Sequence, residues 1–201
     1  MRLNFVETLI TNNPLRAFSL RNIEGPSLKK MASHDRYSYC LEIGCGKGVG
    51  AEVIVKIFGA ERVIAIDIDP GQIEKAKRNL KPELKDRIVF KVGDAMAIDE
   101  PDGIFDAVYS FGVLHHMEDW RRAIKEVSRV LKPGGEFFFE EPLRPFLRNF
   151  LVKFLTEHPA GGEFELQEFS EELSRNSMEI KVLKSFNNIA IAGVAKKSLR
   201  R

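Results

Sequence analysis

The sequence predicts an α/β fold: a three-layer α/β/α sandwich on a mostly parallel seven-stranded sheet, with the last strand antiparallel. Three observations predict it. Short, nearly continuous apolar segments recur at residues 40–43, 63–67, 88–92, 107–111 and 136–140. Between them, residues 49–58, 71–80 and 120–131 repeat apolar side chains at helical spacing. Strands that are apolar on both faces need cover on both, which is the arrangement of parallel sheets wrapped by helices. Two β-rich segments, 180–186 and 189–195, then follow with only Asn187-Asn188 between them, a pairing that favours a hairpin turn.

Each element has its own signal. Leu3, Val6, Leu9 and Ile10 share one helical face, and Pro14 breaks that pattern. Leu15, Phe18 and Leu20 follow, and Glu24-Gly25-Pro26 reads as a turn. Residues 41–50 run Leu-Glu-Ile-Gly-Cys-Gly-Lys-Gly-Val-Gly, a glycine-rich passage from strand to helix. Asp69-Pro70 supplies a cap and a first-turn proline for the next helix. Trp120 is expected to pack beside the helix it starts, and Phe137-Phe138-Phe139 is expected in the core. Beyond Pro142, residues 146–155 are aromatic and basic, and 166–173 are helical.

Bulk properties narrow the function. A chain of 201 residues with 44% hydrophobic content is long enough for one domain, 1–201, with a real core. Its net charge of +2 gives little long-range attraction for nucleic acid or an anionic membrane. The basic residues at 196–201 read as a solvated tail. No apolar run approaches the roughly 20 residues that span a bilayer. The first ten residues carry charges and lack a signal-peptide core. Cys40 and Cys45 lie on a strand and its turn, a poor setting for a framework disulfide. Four histidines show no metal-site spacing, so no metal is expected. A cytoplasmic monomer or homodimer is the expectation.

The chemistry-bearing residues all fall at predicted strand ends, where ligands bind in such sheets. The glycine loop lets a ligand lie against bare backbone near a helix N-terminus. Gly46, Gly48 and Ala51 also satisfy the dinucleotide pattern G-x-G-x-x-A, so a nicotinamide-dependent oxidoreductase stays open at this point. Glu42 weighs against it, since an acid there would repel a pyrophosphate and balance a cation. Asp67 ends the second strand, placed to accept from both ribose hydroxyls. Asp94 ends the third, followed by Ala95 and Met96; it suits an adenine amino group, with Met96 on the ring, or else a simple Asx turn. His115 and His116 are candidate bases because imidazole titrates near neutrality, although one could pack internally and the other cap a helix. Glu140 and Glu141, on the same rim, are candidates for recognising a cationic or hydroxylated substrate, or else are solvated loop residues.

These motifs, in order, resemble the class I S-adenosylmethionine-dependent methyltransferases. The resemblance rests on Glu42-Ile43-Gly44-Cys45-Gly46-Lys47-Gly48, Ala65-Ile66-Asp67-Ile68-Asp69 and Gly93-Asp94-Ala95. It continues through Phe105-Asp106-Ala107-Val108-Tyr109-Ser110, Val113-Leu114-His115-His116-Met117 and Arg129-Val130-Leu131-Lys132-Pro133-Gly134-Gly135. The nearest branch looks like the ubiquinone/menaquinone-biosynthesis type, also called methyltransferase type 11. The resemblance implies a Rossmann-like methyltransferase fold, S-adenosyl-L-methionine as cofactor and S-adenosyl-L-homocysteine as product. It implies that Gly44, Gly46 and Gly48, with Cys45 between them, border the cofactor's amino-acid and ribose parts. Asp67 would hold the ribose and Ile68 would lie against adenine, while Asp94, Ala95 and Met96 would border the adenine. Phe111 would face the methionine through its backbone, and Glu42 would act through water or loop amides.

A small or amphipathic methyl acceptor is the expectation. Ser110-Phe111-Gly112-Val113 is not the Asp/Asn-Pro-Pro-aromatic loop of amino-methylating nucleic-acid enzymes, and no basic stripe marks a nucleic-acid face. Residues 1–37, as an N-terminal helical segment, are expected to cover the substrate, with 38–201 as the cofactor-binding core. A non-catalytic S-adenosylmethionine-binding protein is the other reading.

Overall fold

A computed structural model of the chain describes residues 13–148 and 162–199. The predicted face of Leu3, Val6, Leu9 and Ile10, and most of the aromatic-basic segment 146–155, lie outside these residues. Seven strands form one sheet: β1 (Tyr39–Ile43), β2 (Arg62–Asp67), β3 (Ile88–Val92), β4 (Phe105–Phe111), β5 (Leu131–Pro142), β6 (Met178–Phe186) and β7 (Ala190–Lys197). Their order is β3-β2-β1-β4-β5-β7-β6. Pairing is parallel from β3 to β5, and β7 runs antiparallel to both of its neighbours. Asn187 and Asn188 both take positive φ, 47° and 56°, which lets two residues close the last hairpin.

Strand alternation divides the core between the two faces of the sheet. Leu41 and Ile43 of β1, with Phe137 and Phe139 of β5, pack against α5 (Trp120–Val130) and α6 (Leu166–Arg175). Cys40 of β1 and Phe138 of β5 turn to the other face, against α3 (Val49–Lys56) and α4 (Pro70–Asn79). The three phenylalanines and Trp120 are fully buried, as their sequence setting predicts. Both cysteines are free. Among the described residues no helix is long and apolar enough to cross a membrane.

The N-terminal region departs from the predicted turn at Glu24-Gly25-Pro26. Helix α1 (Pro14–Ser19) runs through a wide π turn at Leu20–Glu24 directly into α2 (Gly25–Lys29). Pro26 has no N–H to offer the carbonyl of Asn22, and its ring would collide with it in a regular helix. Widening the turn answers this: the Gly25 amide donates to Leu20 O, five residues back. The proline therefore reshapes the helix without ending it. This helix lies across the rim of the sheet, and there it reaches the site.

Candidate active site

One cleft, enclosing about 1190 Å³ of space and partly open to solvent, sits at the carboxyl ends of β1, β2, β3 and β4. The order β1-β4 beside β1-β2 is where the connections reverse direction, and the crevice of such a sheet opens there. Glu42, Gly44, Cys45, Gly46, Asp67, Ile68, Asp94, Ala95, Met96, Phe111 and His116 all line it. Four sequence-distant segments thus converge on one space.

The glycine loop is shaped for close approach. Gly44 adopts φ +65°, and a Cβ there would lie 2.3 Å from Val113 Cγ1. Gly50, in the first turn of α3, lies so near Glu42 that a Cβ would sit 1.8 Å from its Oε1 and 2.8 Å from the Phe111 ring. Gly48 departs from expectation in place: it caps α3 and lines an adjoining cavity, not the main cleft.

Asp67 is held rigidly. Its Oδ2 accepts from the Gly46 amide at 2.9 Å and its Oδ1 from the Asp69 amide at 2.9 Å. Burial raises its pKa, and the two amide hydrogen bonds oppose that shift. Each oxygen retains a second lone pair, so the carboxylate can still accept from a ligand diol. Asp69 caps α4 by accepting from Gly71 N at 2.8 Å, as predicted. Asp94 accepts from Met96 N at 2.8 Å, an Asx turn, while also lining the cleft. The Asx turn of the sequence reading is thus present.

Glu42 is 2% exposed, and its Oε2 has no hydrogen-bond partner among the described residues. Burial first, and the charge of Asp67 second, push its pKa up to about 8; the Ala51 amide opposes this.

Besides Gly48, three of the predicted site residues do not line the cleft: Glu141, His115 and Glu140. Glu141, expected on the rim, is 1% exposed. Its Oε1 accepts from Ser110 Oγ at 2.8 Å and from the Val113 and Leu114 amides at 3.0 Å each. Its Oε2 pairs with His115 Nδ1 at 2.9 Å. The carboxylate is thereby committed to the loop after β4, with nothing left to offer a substrate. His115 is likewise buried behind the wall. The His116 ring lies against it, tilted by 42° with ring centroids 3.9 Å apart, and borders the cleft. Glu140 does not line the cleft; it accepts from Arg16 Nη2 at 3.3 Å.

Arg16, Ala17 and Leu20 complete the wall. Arg16 also pairs with Glu24 of the π turn, and Glu24 accepts from Ser19 Oγ at 2.7 Å. Gln72, 5% exposed with Oε1 unpartnered among the described residues, lines the cleft from α4. Arg16 and Gln72 carry no sequence motif; helical spacing alone put them on inward faces. No group of residues suited to hold a metal occurs among the described residues.

A cleft with bare glycine backbone, a rigid diol acceptor and an Asx turn at successive strand ends is that of a Rossmann-like protein binding an aminoacyl-nucleoside cofactor. A family model described as "Methyltransferase domain" matches residues 41–139, in support of the resemblance to the class I S-adenosylmethionine-dependent methyltransferases. The chain is similar to 27-O-demethylrifamycin SV methyltransferase of Amycolatopsis mediterranei (strain S699), 37% identical over 134 residues, covering 65% of this chain and 44% of that one. It is also similar to 2-methyl-6-phytyl-1,4-hydroquinone methyltransferase of Synechocystis sp. (strain ATCC 27184 / PCC 6803 / Kazusa), 40% identical over 95 residues, covering 47% and 29%. The chain thus spans less than half the length of these two curated relatives. Among solved structures, a SAM-dependent methyltransferase from Methanosarcina mazei aligns with TM-score 0.69 and 25% identity, over 87% of this chain and 98% of that one.

The residues present fit that class's cofactor, S-adenosylmethionine, whose product is S-adenosylhomocysteine. Asp67 suits the ribose diol, and Asp94 with Ala95 and Met96 suits the adenine. The Glu42 carboxyl, whose Oε2 has no hydrogen-bond partner among the described residues, suits the cationic amino-acid end.

Proposed function

We propose that the chain transfers a methyl group from S-adenosylmethionine to a small or amphipathic acceptor, by in-line displacement at carbon. One observation carries the choice of acceptor. Away from the glycine loop and the acids at the ends of β2 and β3, the cleft wall is mostly apolar: Ala17, Leu20, Phe111, Val113 and Met117, with Arg16, Gln72 and His116 as its polar members. A helix crossing the rim makes it a roofed pocket, a shape for a small molecule and not for a polymer. The two curated relatives named above, a rifamycin-type and a phytyl-hydroquinone methyltransferase, are by their names enzymes of such acceptors.

Bound S-adenosylmethionine supplies an electrophilic methyl group on a sulfonium leaving group. The protein's part is to hold the acceptor in line and exclude water, effects that together lower a barrier by about 7–11 kcal/mol. The N-terminal helix serves as the cover, consistent with Arg16, Ala17 and Leu20 facing inward. His116 is the group placed to accept a proton from an acceptor that arrives protonated. His115, held by Glu141, positions it by ring contact. Glu140 acts on the acceptor only through Arg16.

The test is transfer of labelled methyl groups from S-adenosylmethionine to a fractionated cell extract. Label should enter the small-molecule or lipid fraction and be lost with Asp67→Ala. Label in the nucleic-acid or protein fraction would refute the acceptor class. Cofactor binding without any transfer would favour a non-catalytic binder. His116→Gln should lower turnover about 10²–10⁴-fold with cofactor affinity retained if the imidazole takes the proton.

A further inference from the structure

Glu42 is a buried carboxyl that pairs with no cation among the described residues. The groups facing it come from four places. From α3 come the Ala51 amide, its one favourable partner, and the bare Cα of Gly50. From β2 comes Asp67, a like charge. From the glycine loop comes the Cys45 thiol, which burial and the Glu42 charge both push up. From β4 comes the apolar ring of Phe111. Arg16, which lines the same cleft, is engaged elsewhere, with Glu24 and Glu140.

An ionised carboxylate in such surroundings is costly unless a cation reaches it. It therefore holds a proton, or it meets a positive charge carried in by a ligand. The two forms of the cofactor differ in that respect. S-adenosylmethionine carries an ammonium and a sulfonium, whereas S-adenosylhomocysteine carries the ammonium alone.

We propose that Glu42 is protonated in the free protein, releases its proton to solvent when S-adenosylmethionine enters, and thereby distinguishes the charged donor from the neutral thioether product. This rests on reading the cleft as the S-adenosylmethionine site. The balance is simple: the carboxyl becomes a carboxylate, one proton passes to solvent, and the new negative charge faces the donor's two cationic centres. Methyl transfer removes the sulfonium charge, so the carboxylate loses part of its compensation and draws a proton back. Product release is then favoured by the same residue that held the donor.

The sign of the pH effect follows. Below about pH 8, where burial holds the proton on Glu42, donor binding must expel it. Donor affinity then rises by up to tenfold per pH unit as that value is approached and levels off above it. Product affinity rises less, so the preference for donor over product widens with pH.

Calorimetry of both ligands near pH 6.5, in two buffers of different ionisation enthalpy, reads the protons directly. The expected result is release of close to one proton with S-adenosylmethionine, distinctly less with S-adenosylhomocysteine, and none for either ligand with Glu42→Gln. Infrared difference spectra of the wild-type protein give a second readout that needs no variant: donor binding should remove a protonated-carboxyl band. Tight binding of both ligands without proton release, or release unchanged in Glu42→Gln, overturns the inference and leaves the cofactor assignment standing. Failure of the wild-type protein to bind either ligand overturns the cofactor assignment itself.

Discussion

Replacing Glu141 with alanine should destabilise the protein by about 4 kcal/mol while leaving no direct gap in the cleft. The carboxylate accepts from Ser110 Oγ, from the Val113 and Leu114 amides and from His115 Nδ1, all between 2.8 and 3.0 Å. Ser110 and Leu114 are fully buried, so their donors would be stranded away from water. A buried donor left unsatisfied costs about 1–3 kcal/mol. Two such donors give about 2–6 kcal/mol, with the half-buried Val113 amide better able to find solvent. Glu141→Gln keeps an acceptor oxygen for the amides and presents N–H to His115, which can change tautomer; its cost should be less than half that of alanine. Urea unfolding of the three proteins, analysed at constant m, reads these differences. Val113 also packs against Gly44, so the alanine variant should weaken cofactor binding by releasing the wall. A loss below about 1 kcal/mol for Glu141→Ala would refute this account and return Glu141 to the solvated rim that its sequence position suggested.

Other perturbations test other parts of the site. Gly50→Ala places a methyl group against Glu42 Oε1 and Phe111, where overpacking costs about 1–3 kcal/mol; thermal melts should show that loss, and calorimetry a larger proportional loss of cofactor affinity. Phe138→Ala, at the centre of the face shared with α3, should cost about 3–5 kcal/mol in urea unfolding. Glu52 is ringed by Arg21, Lys56 and Lys81 at 2.8, 3.0 and 2.5 Å, and these cations hold its pKa down at about 2. A depressed carboxylate stabilises above its unfolded value, and that contribution fades as pH falls from about 4.5 towards 2. Melting temperatures at pH 6 and pH 3 should therefore differ less for Glu52→Gln than for wild type, and added salt should shrink the gap because the pairs are exposed.

What the sequence made legible divides along one physical line. Asp67 and Asp94 could be placed because a strand end is a local event: an apolar run stops, an acid follows, and the sheet's handedness brings such ends to one side. Glu42 was readable for the same reason, one residue before the first glycine. Arg16 was not, because its meaning depends on Glu140, 124 residues away, and on a helix that Pro26 reshapes instead of ending. The adjacent acids Glu140 and Glu141 show the limit most sharply. They share chemistry, position and rim, yet strand alternation turns Glu140 towards the N-terminal helix and Glu141 into the loop after β4. Which of two neighbouring side chains faces which layer depends on what the rest of the chain lays over each face. The acceptor is set by that same overlay, since the N-terminal helix, and no motif, forms the inward wall of Arg16, Ala17 and Leu20. Exchanging those three residues should therefore alter acceptor choice before it alters cofactor affinity, and a change confined to cofactor affinity would refute the division drawn between motif-built and overlay-built halves of the cleft.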